Sequence, residues 1–370
     1  MSKKIHVAII YNEPTVESEE GRQYASKAGL SIDQYAKLVN ETRMNGKTID
    51  LSEVGVVEQK EDIQEAMVSL GYETSIFNMS DDLDRFLGYL KAMQPDIIFN
   101  MVESLGDDAI HEMHVAGIYE LLGFTYTGAG PFTLGTCLNK PRAKEILAYN
   151  GIPTAKFFVC SDIKKLIADD INLSYPLIVK PSNEDASVGI DNKSIVNTFQ
   201  ELKERVGYIL RKFNEPAIVE EYIEGRELNV GILGNKKPIV LPISEIDFSG
   251  LPDDYPKIVT YDAKWMEGTV EFTGTVGKCP AQLSPAVEEK VKEIALKAYH
   301  LMGCRDYARV DIRLSKNNKP YVLEVNPNPD LSDDAGFNRS AKTYGLTYPE
   351  IIGKIVEYAI ERHPTLGKQR

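Results

Sequence analysis

The sequence predicts an α/β fold in its first third and a mixed α+β architecture in the rest. Three observations support this prediction. Short apolar strands alternate with amphipathic helices up to about residue 128, whereas the later segments combine several strands with a hairpin. The chain of 370 residues is also long enough for two or three domains with separate cores.

Strands and helices alternate regularly along the first part of the chain. Apolar residues recur at helical spacing over 58–70, and Gly71 ends that helix. The predicted order is a strand at 6–10, the helix at 58–70, a strand at 72–79, a helix at 83–93, a strand at 96–103, a helix at 109–122 and an extended run at 124–128. This rhythm predicts a parallel sheet with helices on both faces.

Residues 12–57 interrupt the βαβ rhythm. They are polar and weakly periodic, and they are longer than an ordinary connection between two elements. Ligands bind at the carboxyl ends of strands in α/β folds, and this segment leaves the end of the first strand. We interpret it as an insertion that is either a functional flap bordering the substrate site or a partly mobile segment.

Two further units follow the first one. The second begins with a helix that ends at Gly151 and includes a helix over about 198–212. The third holds several strands, a helix that begins at Pro285 and a final helix that ends near Glu361. We therefore divide the chain into an N-terminal α/β domain at 1–138, a central domain at 139–219 and a C-terminal domain at 220–370.

Composition and charge exclude several classes of function. The net charge of −13 is spread along the chain, which argues against nucleic acid as a partner. No apolar run approaches the ~18 residues of a membrane span, and the first ten residues lack a signal-peptide core. We therefore expect a cytoplasmic protein with small-molecule substrates.

The cysteine and histidine patterns predict neither a disulfide framework nor a transition-metal site. Cys137, Cys160, Cys279 and Cys304 form no CxxC pair, which agrees with a reduced cytoplasm. His111 and its neighbour at 114 lie three residues apart without an HExxH pattern, so a helix-surface role is favoured over a metal role.

Two apolar runs near the C-terminus predict a β-hairpin with a polar face. The runs ARVDIRL and YVLEVN are joined by the turn-rich SKNNKP, and prolines follow the second run directly. Strand alternation places on one face Arg309, Asp311, Arg313, Val322, Glu324 and Asn326. The polar side chains therefore gather at the carboxyl end of the second strand.

The register of this hairpin predicts a cation site. If Leu314 pairs with Tyr321, Asp311 falls opposite Glu324, and the arginine two residues earlier falls opposite Asn326. Two opposed carboxylates repel each other unless a cation lies between them. Hard oxygen ligands of this kind suit Mg²⁺, or Mn²⁺ in its place. The alternative is a solvated hairpin whose charges face water.

A second motif, PLIVKPSNEDASVGI, predicts a phosphate site. An apolar strand ends in Lys180, which offers a point charge, and a small polar loop follows. Ser187 and Gly189 in that loop could offer a hydroxyl and backbone N–H groups to an anion. The pattern is not a P-loop, and a solvated strand-end lysine is the plainer interpretation. The hairpin and this loop together indicate Mg²⁺–nucleotide chemistry.

The order of motifs resembles the ATP-grasp superfamily, and most closely the D-alanine–D-alanine ligase-like family. The motifs are LNKPRAK, KPSNEDASVG, EEYIEGRE, YDAK, ARVDI and LEVNPNP. The resemblance covers about residues 95–362 and leaves 12–60 unmatched. It implies an ATP-grasp fold, in which two α+β domains grip ATP after a parallel-sheet N-terminal domain, and it allows a homodimer.

The resemblance also implies roles for individual residues. Those matched to nucleotide contacts are Lys140, Lys180, Ser187, Gly189, Glu220, Glu221, Ile223 and Glu227. Asp311, Glu324 and Asn326 match magnesium ligands. Lys264 matches a lysine near the transferred phosphate, and Arg309 matches the arginine that stabilises an oxyanion. These two residues and Ser187 are the expected catalytic residues. The implied reaction is ATP-dependent ligation of an acid to an amine through an acyl phosphate.

The sequence departs from the family pattern where the family binds its amino-acid substrates. Ala186 stands where the family usually has a serine, and Trp265 stands where it has a tyrosine. Ala335 lies near the position at which the family has a serine–leucine pair, which is replaced in this sequence. The leading interpretation is therefore a carboxylate–amine ligase with unidentified amino-acid or peptide-like substrates. D-alanine–D-alanine ligase itself is the alternative enzyme, and a nucleotide-binding regulator without turnover is the alternative of another class.

Overall fold

The structure is a computed structural model, and it describes residues 4–13, 15–18, 21–24, 55–106, 108–333 and 335–368. The chain forms two compact units. The first comprises Met1–Pro131, Leu331–Asp333 and Leu346–Arg370, and the second comprises Phe132–Asp330 and Asp334–Gly345. The finer division at 138/139 and 219/220 stays a prediction.

The elements are numbered in chain order. The strands are β1 (His6–Tyr11), β2 (Thr15–Ser18), β3 (Gly21–Tyr24), β4 (Glu73–Asn78), β5 (Ile97–Met101), β6 (Phe157–Cys160), β7 (Leu177–Pro181), β8 (Ile195–Val196), β9 (Ala217–Glu221), β10 (Gly225–Leu233), β11 (Ile239–Val240), β12 (Ser244–Asp247), β13 (Val276–Lys278), β14 (Tyr307–Ser315) and β15 (Pro320–Asn326). The α-helices are α1 (Gly55–Ser69), α2 (Leu83–Met93), α3 (His111–Leu121), α4 (Pro131–Leu138), α5 (Lys140–Tyr149), α6 (Phe199–Lys212), α7 (Tyr261–Trp265), α8 (Val270–Gly274), α9 (Pro285–Met302), α10 (Gly336–Tyr344) and α11 (Tyr348–Arg362).

A parallel sheet of order β4-β1-β5 forms the centre of the first unit. Residues 7–10 of β1 are fully buried, as expected of a central parallel strand. The predicted parallel arrangement is therefore confirmed. The extended run expected at 124–128 pairs with β5 only at Tyr126. Gly123 before the run and Gly128 at its end have positive φ.

Only a small part of the predicted 12–57 insertion can be compared with the structure. β2 and β3 pair antiparallel as a short hairpin. Residues 25–54 lie outside the described residues, so the flap stays a prediction.

Two sheets form the second unit. The smaller is antiparallel, of order β6-β9-β7-β8, and α6 packs on it through Leu202, Val206 and Ile209 at helical spacing. The larger runs β13-β12-β10-β14-β15, and β11 pairs with β10. The helices α5 and α9 share its core, to which Leu147 and Ala295 contribute. Lys180 and the β14–β15 hairpin thus belong to different sheets of one unit.

The β14–β15 hairpin has the predicted pairing at its site end and a different pairing at its turn. Asp311 lies opposite Glu324, as predicted. Leu314, however, pairs with Pro320 and not with Tyr321. A β-bulge after Asp311 shifts the register by one residue between the turn and the site.

The bulge also corrects the predicted faces of β15. Leu323 is the extra residue, since the partner of β14 changes there from position 324 to position 322. Val322 and Val325 consequently both point into the core, although strict alternation had put Val322 on the face of Glu324. The predicted polar face of β15 thus loses Val322, and Glu324 and Asn326 remain on it.

Candidate active site

The hairpin brings four predicted site residues together on one face. Arg309 lies opposite Asn326 in the strand register, next to the opposed pair Asp311 and Glu324. Arg309 donates from Nε to Asp311 Oδ1 at 2.8 Å and from Nη2 to Oδ2 at 2.9 Å. Asn326 Nδ2 donates to Asp311 Oδ2 at 2.9 Å. This face is therefore partly buried and internally paired, unlike a solvated hairpin.

Glu324 is the point on which the predicted cations converge. Burial would raise the pKa of Glu324, but Lys140, Lys180, Lys264 and Arg309 together lower it from 4.5 to about 2. These four side chains come from α5, β7, α7 and β14, so both sheets contribute to the cluster. The carboxyl therefore stays ionised near neutral pH and interacts electrostatically with four positive charges.

The residues at this face fit a magnesium ion chemically. Asp311 and Glu324 supply carboxylate oxygens, and the amide of Asn326 turns its nitrogen to Asp311, which leaves its carbonyl oxygen for another partner. Oxygen ligands are what Mg²⁺ prefers. These three residues would hold the ion, and their assignment stays a prediction.

Lys140 reaches the predicted phosphate loop at residues 182–190. Its Nζ donates to the backbone oxygen of Glu184 and lies 3.0 Å from Asp185 Oδ1. Burial lowers the pKa of Lys140, but Asp185 and Glu324 more than offset this and raise it. Lys140 therefore lies, fully charged, between the loop and the hairpin.

The backbone of this loop explains why Gly189 is a glycine. Its φ is +73°, and a Cβ there would lie 2.7 Å from Pro181 Cγ and 2.8 Å from Phe213 Cζ. Buried Arg205 donates to its carbonyl oxygen at 2.6 Å. Ser187 also has a positive φ, of 63°, at the tip of the loop. The loop is thus held in an unusual conformation that leaves little space beside Gly189.

Three hydrogen bonds fasten the loop region to α7, which carries Lys264, and to α8. Trp265 Nε1 donates to the Ala186 carbonyl at 3.0 Å. The backbone N–H of residue 261 donates to the carbonyl of residue 190 at 2.9 Å. The amide of Asn192 donates to Glu271 Oε1 at 2.9 Å. These contacts place Lys264, on α7, beside the predicted phosphate site.

The Glu220 carboxylate lies between two lysines. Lys180 Nζ is 2.7 Å from Oε1, and Lys144 Nζ is 2.7 Å from Oε2. Burial would raise the pKa of Glu220, and the two lysines lower it below its ordinary value. The nucleotide contact of Glu220 stays a prediction, and its two ion pairs are a role that the sequence did not reveal.

The segment between β9 and β10 is organised by buried Arg313. Its Nε donates to the Ile223 carbonyl at 3.0 Å, and Nη2 donates to the Tyr222 hydroxyl at 3.1 Å. Its Nη1 lies 3.1 Å from Glu227 Oε2. Burial raises the pKa of Glu227 despite this pairing. Glu221, the remaining residue matched to a nucleotide contact, accepts from the backbone N–H of residue 174 at 3.2 Å.

Sequence reasoning missed three residues of this constellation. Lys144 follows Lys140 by four residues, so helical spacing could have placed both lysines on one face of α5. Arg313 was placed on the Asp311 face without a role. Asn229 donates to Asp311 Oδ1 at 2.7 Å, and no local pattern signals it because it comes from the neighbouring strand β10.

Three further features of the sequence can be compared with the described part of the structure. All four cysteines are free thiols. The Nδ1 atoms of His111 and His114 lie 3.0 Å apart on α3, and the described residues hold no group of three or more His, Cys, Asp or Glu side chains arranged for a metal. None of the described helices combines the length and hydrophobicity that crossing a bilayer requires.

Known proteins similar to this chain were found at the levels of family, sequence and structure. A family model described as the D-ala D-ala ligase C-terminus matches residues 146–357. A D-alanine–D-alanine ligase of Thermotoga petrophila is 32% identical over 303 residues, which cover 81% of this chain and 90% of the relative. For that of Bordetella petrii the identity is 31% over 300 residues, with coverages of 80% and 85%.

Two further similarities add an uncharacterised relative and a solved structure. An uncharacterised protein of Sinorhizobium fredii is 31% identical over 309 residues, covering 80% of this chain and 86% of the relative. The crystal structure of D-alanine–D-alanine ligase from Bacillus anthracis complexed with ATP superposes with a TM-score of 0.69, over 99% of this chain and 100% of that one. At 22% identity, this second similarity concerns the fold alone.

Proposed function

Because the chain belongs to the D-alanine–D-alanine ligase-like family of ATP-grasp enzymes, we propose that it joins a carboxylic acid to an amine with the use of ATP, and that its substrates are not two D-alanine molecules. ATP-dependent amide-bond formation is the activity of this family. The observation that carries the proposal for this chain is the hairpin pairing that sets Asp311, fixed by two hydrogen bonds from Arg309, opposite Glu324.

The geometry supports a division of labour among the residues. The terminal phosphoryl group of ATP passes to the substrate carboxylate, and the amine then displaces phosphate from the acyl phosphate. Lys140, Lys180 and Lys264 would neutralise phosphate oxygens, which need positioning and charge more than proton transfer. When bound, Mg²⁺ supplies further neutralisation of the phosphates.

Arg309 is suited to stabilise the oxyanion that forms when the amine attacks. Two hydrogen bonds to Asp311 fix the direction of its guanidinium group. Burial would lower the pKa of Arg309, but Asp311 and Glu324 raise it, so the group stays charged. A fixed positive charge in a buried site needs no reorganisation when negative charge develops.

The proposal that the substrates differ from D-alanine rests on the residues that replace family polar groups. Ala186 offers no hydroxyl, and the single donor of Trp265 is used on the Ala186 carbonyl. Ala335 directly precedes α10 and makes no side-chain hydrogen bond to the first turn of that helix. Each lost hydrogen bond to a charged substrate group costs about 1.5–3 kcal/mol, or roughly tenfold to a hundredfold in affinity.

Two alternatives follow from other observations. The names of the relatives favour D-alanine–D-alanine ligase itself, which requires other side chains to replace the lost groups. A nucleotide-binding regulator without turnover would not need an arginine fixed beside the two opposed carboxylates, so the presence of Arg309 argues against it.

An ADP-release assay separates the three functions. The protein is offered Mg²⁺–ATP with D-alanine alone, and then with pairs drawn from a panel of amino acids and dipeptides. We expect a specific acid–amine pair to stimulate ADP release more than saturating D-alanine does. Faster turnover on D-alanine than on every pair would establish the first alternative. ATP binding without stimulation by any pair would favour the regulator.

A further inference from the structure

Lys144 is a buried cation that none of the roles described above uses. Its side chain is 1% exposed, and so is that of its partner Glu220. A buried ammonium group persists only when it is paired and hydrogen-bonded. Lys144 satisfies this condition with Glu220 Oε2 at 2.7 Å and with Thr154 Oγ1 at 2.8 Å.

The cluster holds two lysines against a single carboxylate. Glu220 on β9 and Lys180 on β7 lie diagonally on the same face of the smaller sheet, since residue 178 is directly opposite Glu220. Lys180 and Lys144 each contact one oxygen of the carboxylate. With all three groups ionised, one positive charge is left over.

The leftover charge faces the predicted phosphate site through Lys180. The Lys180 side chain is 9% exposed, against 1% for that of Lys144, so Lys180 is the more accessible end of the cluster. Lys180 also acts on Glu324, where the other site cations converge. An anion that enters the site therefore meets Lys180 while Lys144 remains enclosed behind Glu220.

Lys144 also connects the two sheets. It belongs to α5, whose residues Ala143 and Leu147 pack in the core of the larger sheet. Its partner Thr154 donates to the carbonyl of Val322, next to the β15 bulge and two residues before Glu324. Its other partner, Glu220, belongs to the smaller sheet. The position of Lys180 is thus tied through Lys144 to the strand that carries Glu324.

We propose that Lys144 is a positioning residue for ATP. Lys144 shares the Glu220 carboxylate with Lys180 and so leaves the charge of Lys180 available to the nucleotide phosphates. This inference rests on the proposed function. Without Lys144, Glu220 would be balanced by Lys180 alone, the cluster would be neutral, and Lys180 would be held to the carboxylate. Lys144 acts through Glu220 and does not touch the nucleotide.

The test is a double-mutant cycle read by calorimetric titration of the full chain with Mg²⁺–ATP, which needs no acid or amine substrate. We expect Lys144→Met to raise the Kd for ATP by about tenfold or more. In a Glu220→Gln background the same substitution should change the Kd by no more than about twofold. Lys144→Gln, which keeps a donor for Glu220, replaces the methionine variant if that variant does not fold.

Arg142→Met is the matched control, because it removes one positive charge from the exposed face of the same helix. Its Kd for ATP should stay that of the wild type. An equal loss of affinity from Lys144→Met in both backgrounds, or a lower Tm with unchanged Kd, would overturn the positioning role. A wild-type protein that binds no ATP would instead overturn the proposed function itself.

Discussion

Replacing Glu324 by glutamine tests whether the four cations at the site are held together by this carboxylate. Lys140, Lys180, Lys264 and Arg309 lower its pKa from 4.5 to about 2. The difference between these values corresponds to about 3 kcal/mol of folding free energy, contributed by the ionised carboxylate at neutral pH. Glutamine resembles the protonated carboxyl in size and polarity, so the variant should lose that contribution.

The expected loss depends on pH in a defined direction. Because the folded-state pKa is depressed, the wild-type advantage is complete well above pH 4.5 and disappears as the pH falls toward 2. Glu324→Gln should therefore be about 3 kcal/mol less stable than the wild type at pH 7, and roughly half as much at pH 3. For a chain of 370 residues the difference at pH 7 corresponds to a Tm lower by about 4 °C.

Urea unfolding without nucleotide, followed by circular dichroism at both pH values, measures this difference. Glu145→Gln is the matched control, since that carboxylate forms an exposed pair with Arg142, and such pairs contribute about 1 kcal/mol or less. A Glu324→Gln variant as stable as the wild type at pH 7, or destabilised equally at both pH values, would refute the convergence of charge on Glu324.

Three further substitutions test the loop and the hairpin. Asp311→Asn should retain the circular dichroism spectrum and lower ATP turnover by more than the roughly 10- to 100-fold loss typical of residues that only hydrogen-bond to a metal ligand. Near-normal turnover would contradict the assignment of Asp311 as a magnesium ligand. Trp265→Phe removes the hydrogen bond to Ala186, so the KM for ATP should rise about fivefold and thermolysin should cut the phosphate loop faster. Unchanged cleavage and KM would count against the loop contact. Gly189→Ala should lower the free energy of unfolding in urea by about 2–5 kcal/mol. The control Gly345→Ala, at a residue with positive φ but open space around it, should lower it by about 1–2 kcal/mol. Equal losses would mean that the close contacts at Gly189 do not matter.

Much of the fold follows from local patterns in the sequence. The predicted helix over 83–93 matches α2, and the parallel sheet follows from the alternation of strands and helices. Hydrophobic periodicity and glycine stops act over one element at a time, so a single sequence carries them in full. The pairing of Asp311 with Glu324 was also predictable, because a hairpin joins strands that are close in the chain.

The same hairpin shows where local reasoning fails. The predicted register placed Leu314 opposite Tyr321, and the bulge at Leu323 moved that pairing by one residue while it preserved the pairing at the site. A bulge depends on how Val322 and Val325 pack into the core, and alternation along one strand does not contain that information. The site pairing was therefore correct although the assumed turn pairing was wrong.

The sequence by itself determined which chemical groups the protein has: lysines for phosphate, paired carboxylates for a cation and an arginine beside them. Only the tertiary structure decided how these groups share their charges. Glu220 became the common partner of Lys144 and Lys180, and Glu324 became the point where four cations meet. The physical reason is that charge interactions depend on distance and burial in space, and the partners come from helices and strands far apart in the chain.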